Sequence, residues 1–365
     1  MTSKSPDDAL FSENERTAVV EAVRQFTNIG SMDLKAGGRL ASVTIAFETW
    51  GQLNEARDNA ILICHALSGD SHAIGWWDRL VGPGLAIDTN QYFVVGSNVL
   101  GGCQGSTGPS SVDPDGRHYG SRFPAVQIED MVVAQERLMR NLKIEQWALV
   151  AGGSMGGMQA LSWSVQFPDS VARVWCTASC AAHDAMQIGF NESSRQAILR
   201  DPGFRGGDYY GSAGPLNGLA VARMIGHLSY LSEDSFRQKF GRRLQGKDNF
   251  AFDGGIEFAV ESYLNYQGDK FTARFDANTF LVVTRAIDYF ELPSLEGAKA
   301  EFLFTSFDSD WIYPTHQSVA LNRMAIEAGL RSKHVEISRP WGHDAFLLDG
   351  EEQGRLVREL LSSGK

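Results

Sequence analysis

The chain predicts an α/β domain, a mostly parallel sheet with helices on both faces, interrupted late by a helical insertion. Three observations carry this. Short apolar runs alternate with helix-length amphipathic segments from about residue 40 to residue 180. The alternation stops near Ala181, and strand-like runs return only at Glu301. One strand-like run, Trp147-Ala148-Leu149-Val150-Ala151, leads through Gly152-Gly153-Ser154-Met155-Gly156 into a helical run, so a sharp strand-to-helix turn carries a serine.

The elements follow in order. Residues 1–15 are polar and acidic and are expected to be disordered. Leu40 to Trp50 reads as a strand, with Val43, Ile45 and Phe47 alternating. Asn59 to Cys64 is a second strand and enters His65-Ala66-Leu67-Ser68-Gly69. Tyr92 to Val95 is a third and leads into a Gly-rich loop at Leu100–Gly105. Ile128 to Leu142 has helical periodicity, with Met131, Val132, Leu138 and Leu142 near one face. The helix after Ser154 runs from Gly157 to Phe167 and stops at Pro168. Val171 to Cys176 is a further strand. Strands resume at Glu301–Thr305 and Lys333–Ser338, with a helix from His316 to Ala328 between them and a last helix from Glu351 to Ser362. The chain thus divides into a core, residues 16–180 and 301–365, and a helical cap, residues 181–300. No low-complexity linker separates them, so the cap is expected to pack on the core.

Composition narrows the function. Hydrophobic residues make up 43% and charged residues 21% of the 365, ordinary for a globular enzyme. The net charge of −11 argues against nucleic-acid binding. No run of about 18 apolar residues predicts a membrane span. The N-terminus reads as neither a signal nor a transit peptide. Cys64, Cys103, Cys176 and Cys180 form no C-x-x-C pair. They are expected to be reduced thiols in a cytoplasmic protein, with Cys176 and Cys180, in an apolar and small-residue run, as packing residues.

The serine turn reads G-x-S-x-G. Such a turn exposes the hydroxyl and aims the N–H groups of a new helix at whatever the serine attacks. Serine is a poor nucleophile at neutral pH and needs a base, usually His, which a carboxylate holds in the right tautomer. On a fold of this kind both partners follow the serine, at the carboxyl ends of later strands. The strand Glu301–Thr305 is followed by Asp308 and Asp310. The strand Lys333–Ser338 is followed by Gly342-His343-Asp344. Of eight histidines, His118, His316 and His334 sit in polar surroundings and read as surface residues, while His65, His72, His183 and His227 are less easily dismissed. Only His343 also meets the order and strand-end tests. Asp308 and Asp310 are two apart and face opposite ways if extended, so at most one reaches the histidine, and spacing does not choose between them. The oxyanion of an acyl-transfer intermediate needs two backbone N–H groups. Met155, directly after the serine, supplies one; Leu67, in the loop after an early strand, is the natural second.

Beyond these positions the chain resembles the homoserine O-acetyltransferase family of α/β-hydrolase-fold acyltransferases. The resemblance runs from about Phe47 to Leu348. It includes His65–Gly69, Gly75-Trp76-Trp77-Asp78, Gly82-Pro83-Gly84, Gly101-Gly102-Cys103, Gly105–Ser111 and Gly152–Gln159. It continues through Gly218–Met224, Arg274–Asn278, Ser309-Asp310-Trp311 and Gly342–Leu347. The resemblance implies an α/β-hydrolase fold with the cap inserted between late strands. It implies Ser154 as the acylated nucleophile, His343 as the base and Asp310, rather than Asp308, as the acid. It implies that Arg223 and Asp344 bind the amino-acid substrate, one cation and one anion for its two charged groups.

The implied reaction moves acetyl from acetyl-CoA to the hydroxyl of L-homoserine by double displacement, in methionine biosynthesis. Acetyl-CoA is then a co-substrate; no other cofactor and no metal is implied. Members of that family that use succinyl-CoA often carry Arg directly after the Asp-Trp pair; here the position is Ile312, followed by Tyr313, which favours acetyl. Serine as acceptor, and an esterase or thioesterase with the same three residues, are the competing expectations. A homodimer built through the cap is also implied. Arg237, Lys239, Arg242, Arg243 and Lys247 form the densest basic stretch and read as a solvated helix face rather than a nucleotide site.

Overall fold

A computed structural model describes residues 23–363. The disorder expected for residues 1–15, and the first residues of the expected core, 16–22, lie outside the described residues.

Eight strands form the main sheet: β1 (Gln25–Asn28), β2 (Thr44–Trp50), β3 (Ala60–Cys64), β4 (Phe93–Ser97), β5 (Trp147–Gly153), β6 (Arg173–Thr177), β7 (Glu301–Phe307) and β8 (Ser332–Ile337). Their order across the sheet is β1-β2-β4-β3-β5-β6-β7-β8. β2 runs antiparallel to both of its neighbours, and the pairs from β4 to β8 are parallel. The helices of seven residues or more are α1 (Ile128–Asn141), α2 (Met155–Gln166), α3 (Ala185–Leu199), α4 (Leu216–Tyr230), α5 (Glu233–Lys239), α6 (Ala259–Thr272), α7 (Ala277–Tyr289), α8 (Thr315–Glu327) and α9 (Glu352–Ser362). None is long and apolar enough to cross a membrane.

Apolar runs become central strands because both sheet faces are covered. β3 and β5 are buried at every position. Successive side chains enter opposite cores. Leu62, Val95, Val150 and Phe304 face the core that holds Met131 and Leu138 of α1, Leu161 and Trp163 of α2, and Leu321 of α8. Ile63, Val94, Leu149 and Leu303 face the other, with Trp77, Leu80 and Leu356, Val357 and Leu360 of α9.

Two elements depart from the sequence reading. The strand expected from Leu40 begins at Thr44; Leu40 pairs instead in a two-residue ribbon, Arg39–Leu40 against Met32–Asp33. β1 carries no apolar alternation, because Gln25-Phe26-Thr27-Asn28 is an edge strand exposed along most of its length.

Between β6 and β7 the chain runs through α3 to α7. The insertion leaves and re-enters side by side, with the Leu292 amide donating to the Ala181 carbonyl at 2.9 Å. It holds a small core of its own, Ile198, Leu219, Ala222, Phe271 and Phe280, against which Leu67 of the β3 loop packs. α3 starts where the Asp184 carboxylate accepts from the Met186 and Gln187 amides, and α7 where Asp276 accepts from Thr279. The cysteines are free, and Cys64, Cys176 and Cys180 are buried, as packing residues should be. Burial pushes the Cys176 thiol up to about 12.

Candidate active site

Ser154 sits at the end of β5 and opens α2. Its backbone is at φ 55°, a left-handed conformation that side chains rarely adopt. The surrounding packing enforces it. The Ser154 amide donates to the carbonyls of Thr177 and Ala178, and its carbonyl accepts from Ser179 Oγ at 2.7 Å. A Cβ on Gly156 would lie 2.1 Å from the Cys64 carbonyl oxygen, so only glycine lets α2 pass so close to β3.

Asp310 follows β7 and His343 follows β8, so both reach the same end of the sheet as Ser154. His343 Nδ1 and Asp310 Oδ2 are 2.7 Å apart, and both residues are buried. The other Asp310 oxygen accepts from the amides of Ile312 (3.1 Å) and Tyr313 (2.9 Å). With the carboxylate accepting at Nδ1, Nε2 of the neutral ring carries the lone pair. Asp308 points elsewhere: it accepts from Ser338 Oγ (2.5 Å) and the Arg339 amide (3.1 Å). The tie that spacing left open is thus broken by loop geometry. Gly342 makes the turn into His343 at φ 67°; a Cβ there would lie 2.5 Å from the Ser232 amide nitrogen of the insertion.

The loop after β3 is braced from within. His65 is buried, its Nδ1 lies 2.9 Å from the Ala66 carbonyl, and its Nε2 accepts from the Val99 amide at 3.1 Å. Gln159 of α2 donates to the His65 carbonyl. Leu67 lies in this loop and faces the cavity that also contains Ser154 and His343. Met155 is the first residue of α2, where a helix leaves its amides without internal acceptors.

The cavity encloses about 220 Å³ between core and insertion. Arg223 and Asp344 both line it. The Arg223 guanidinium lies 5.0 Å from the centre of the Phe271 ring. Desolvation pushes the Asp344 carboxyl up to about 6, against the opposing pull of His343 and Arg223. Arg274, quoted in a motif above but given no role, also lines the cavity. It binds the Ser68 carbonyl (3.0 Å) and hydroxyl (3.1 Å), tying the insertion to the β3 loop. The basic stretch makes local contacts: Arg237 pairs with Asp234, Lys239 lies over Tyr263, Arg242 over Phe258, and Lys247 near Asp253 and Glu257.

A family model described as the alpha/beta hydrolase fold matches residues 59–349. A homoserine O-acetyltransferase of Solidesulfovibrio magneticus is 47% identical over 94% of this chain and 94% of its own length. The chain belongs to the homoserine O-acetyltransferase family. A relative in Nitrosospira multiformis named homoserine O-succinyltransferase is 44% identical over 97% of this chain and 99% of its own. The solved homoserine O-acetyltransferase of Bacillus anthracis superposes with a TM-score of 0.87 at 27% identity, over 93% of this chain and 98% of that one. Esterase E22 reaches the same TM-score and identity over 94% of this chain and all of its own.

Other histidines of this acetyltransferase-family chain find separate uses. His72 pairs with the buried Glu48 at 2.6 Å, and His227 contacts the Tyr263 hydroxyl at 3.3 Å. His118 and His316 are exposed, while His334 is half-buried against Ser306. Sequence reasoning named Tyr313 only as an uncharged neighbour of Ile312 and left His183 without a role. The Tyr313 ring stacks on His343 at 4.7 Å, and its hydroxyl meets His183 Nε2 at 2.7 Å. No pattern marks such a pair, because 130 positions separate them.

Proposed function

We propose that the chain transfers acetyl from acetyl-CoA to the hydroxyl of L-homoserine through an acyl-Ser154 intermediate. The observation that carries this reading is one cavity that faces Ser154, the Asp310-bound His343, and the opposite charges of Arg223 and Asp344. Ser154 Oγ attacks the thioester carbon while its proton passes to His343 Nε2. The carbonyl oxygen becomes an oxyanion held by the Met155 and Leu67 amides, each worth on the order of 3 kcal/mol to the barrier. The tetrahedral intermediate collapses, the carbon–sulfur bond breaks, and the His343 proton leaves with the CoA thiol. Homoserine enters with its carboxylate toward Arg223 and its ammonium toward Asp344. His343 takes the proton of its hydroxyl, the oxygen attacks the acyl carbon, and Ser154 leaves with that proton. Asp310 holds the imidazole in register and stabilises the imidazolium of each step.

Acetyl is favoured over succinyl because Ile312 and Tyr313, buried beside the catalytic acid, present no cation for a second carboxylate. The insertion, residues 181–300, acts as a cap that supplies Arg223 and covers the acyl-enzyme. Exposed apolar side chains on α4 and α6, Val221, Leu228 and Tyr266, support a homodimer through that cap. Free cysteines support a cytoplasmic setting.

Intact mass after acetyl-CoA alone tests the reading. The expected result is one added acetyl group, absent in Ser154→Ala and discharged by homoserine with formation of O-acetylhomoserine. Discharge by water at the same rate would make the chain an esterase, as in E22. Discharge by serine, or acylation only by succinyl-CoA, would change the acceptor or the donor.

A further inference from the structure

A second buried chain of polar side chains reaches the site from the insertion, and no step above uses it. Arg195 of α3 lies 2.7 Å from Asp288 Oδ2 of α7, with both side chains almost wholly buried. The other Asp288 oxygen meets His183 Nδ1 at 3.1 Å and accepts from Asn191 at 2.7 Å. His183 Nε2 lies 2.7 Å from the Tyr313 hydroxyl. The Tyr313 ring stacks on His343, and Tyr313 and Ser154 line the same cavity. Ser154, His183, Tyr313 and His343 all face one cavity.

The direction of each bond follows from the anchored end. Asp288 is held ionised by its partners: despite burial, the hydrogen bonds from His183, Asn191 and Arg195 keep its carboxyl below the usual range. An ionised carboxylate only accepts, so His183 Nδ1 is the donor. In the neutral ring Nε2 then has only a lone pair, and the Tyr313 O–H must donate to it. The phenol oxygen is left with lone pairs toward Ser154. A phenol without that acceptor would turn its proton to the nearest lone pair. In this cavity the Ser154 oxygen offers one, the pair of electrons that must attack the thioester. A hydrogen bond accepted there stabilises the ground state of the nucleophile and is lost as the new bond forms, so it raises the barrier.

We infer that His183 is a positioning residue that acts through Tyr313, holding the phenol proton away from the Ser154 oxygen so that the nucleophile stays free to attack. The inference rests on Ser154 being the nucleophile, as proposed above. Asp288 and Arg195 serve it by keeping the imidazole in the tautomer that accepts from Tyr313. The arrangement also makes the attack sensitive to the seating of the insertion, since His183, Asp288 and Arg195 all belong to it.

The test is single-turnover acylation by acetyl-CoA in the full-length protein, read as acetyl-protein by rapid-quench mass analysis, with steady-state kcat and KM alongside. His183→Leu removes the acceptor and should slow acylation about tenfold or more with KM for acetyl-CoA within about twofold. Tyr313→Phe removes the proton and keeps the stack, so it should stay within about threefold of the parent. The double variant should recover most of the rate lost in His183→Leu, and His183→Gln, which can donate to Asp288 and accept from Tyr313, should act as the parent. A purely structural histidine does not allow rescue by deleting the phenol hydroxyl from folded protein. A double variant no faster than His183→Leu, with both unfolding at similar temperatures, overturns the inference. If His183→Leu does not fold, a Tyr313→Phe variant slowed tenfold overturns it instead. A parent protein that takes up no acetyl at all refutes the transferase reading and is thereby told apart from failure of this one.

Discussion

Replacing Asp310 by Asn tests the site at its most constrained point. The carboxylate spends one oxygen on His343 Nδ1 at 2.7 Å and the other on two backbone amides, those of Ile312 and Tyr313. An asparagine can keep its oxygen on those two amides only by turning its NH2 toward Nδ1. Nδ1 must then accept, the ring proton moves to Nε2, and His343 can no longer take a proton from Ser154. Flipping the amide to rescue the tautomer would set an NH2 against two N–H donors, and each unsatisfied group costs about 1–3 kcal/mol. The wrong tautomer is therefore the stable one, and kcat should fall on the order of 10⁴-fold, about 5 kcal/mol of barrier. Residual activity should persist through the two oxyanion amides. The assay is CoA thiol release with homoserine present, beside thermal unfolding to show that the variant is folded. Asp308→Asn is the control: it touches Ser338 and Arg339, so it should cost about 1 kcal/mol of stability and leave kcat within about threefold. A loss below about tenfold in Asp310→Asn, or an equal loss in Asp308→Asn, refutes the assignment.

Three further outcomes follow from the same geometry. Because the Asp344 carboxyl is raised to about 6, it is neutral below that pH and charged above it; kcat/KM for homoserine should therefore drop as pH falls through about 6, and Asp344→Asn should take the carboxylate's part out of that limb, leaving the part set by the base His343, while lowering the plateau. Arg223→Ala should raise KM for homoserine about 30-fold or more, since it deletes one partner of a charge-assisted pair, and should leave the acylation rate by acetyl-CoA within about threefold; equal losses in both half-reactions would move Arg223 out of the acceptor site. Gly156→Ala places a methyl 2.1 Å from the Cys64 carbonyl, so it should destabilise by about 3 kcal/mol or yield no soluble protein, measured by chemical denaturation.

The sheet was legible where both faces are covered. β3 and β5 announce themselves as apolar runs because every position is buried, and the serine turn is legible because a strand must be followed at once by a helix around glycines. β1 was not, since an exposed edge strand needs no apolar pattern. Asp310 and His343 could be found by chain order and strand ends. Choosing Asp310 over Asp308 needed either the family resemblance or the loop that aims one carboxylate at Nδ1 and the other at Ser338. Tyr313 and His183 were illegible for a different reason. Their meeting depends on how α3 and α7 seat against the β7 loop, a tertiary fact without local signature.

Esterase E22 shares the fold at a TM-score of 0.87, so the α/β framework alone does not distinguish transfer from hydrolysis. On the proposed mechanism the difference arises after Ser154 is acylated, when water and the amino-acid alcohol compete for one carbonyl. An alcohol seated between Arg223 and Asp344 attacks with an effective concentration on the order of 10⁵ M or more, at least a thousandfold above bulk water. That advantage depends on orientation: in the proposed pose the two charges fix the carboxylate and ammonium, and the hydroxyl of the side chain must then fall between His343 Nε2 and the acyl carbon. An acceptor shorter by one methylene satisfies both charges but draws its hydroxyl back from the carbon. With Arg223 as the proposed carboxylate partner, selection of homoserine over serine becomes a matter of reach set by where Arg223 sits on α4, and transfer over hydrolysis a matter of how firmly the insertion holds α4 to the core.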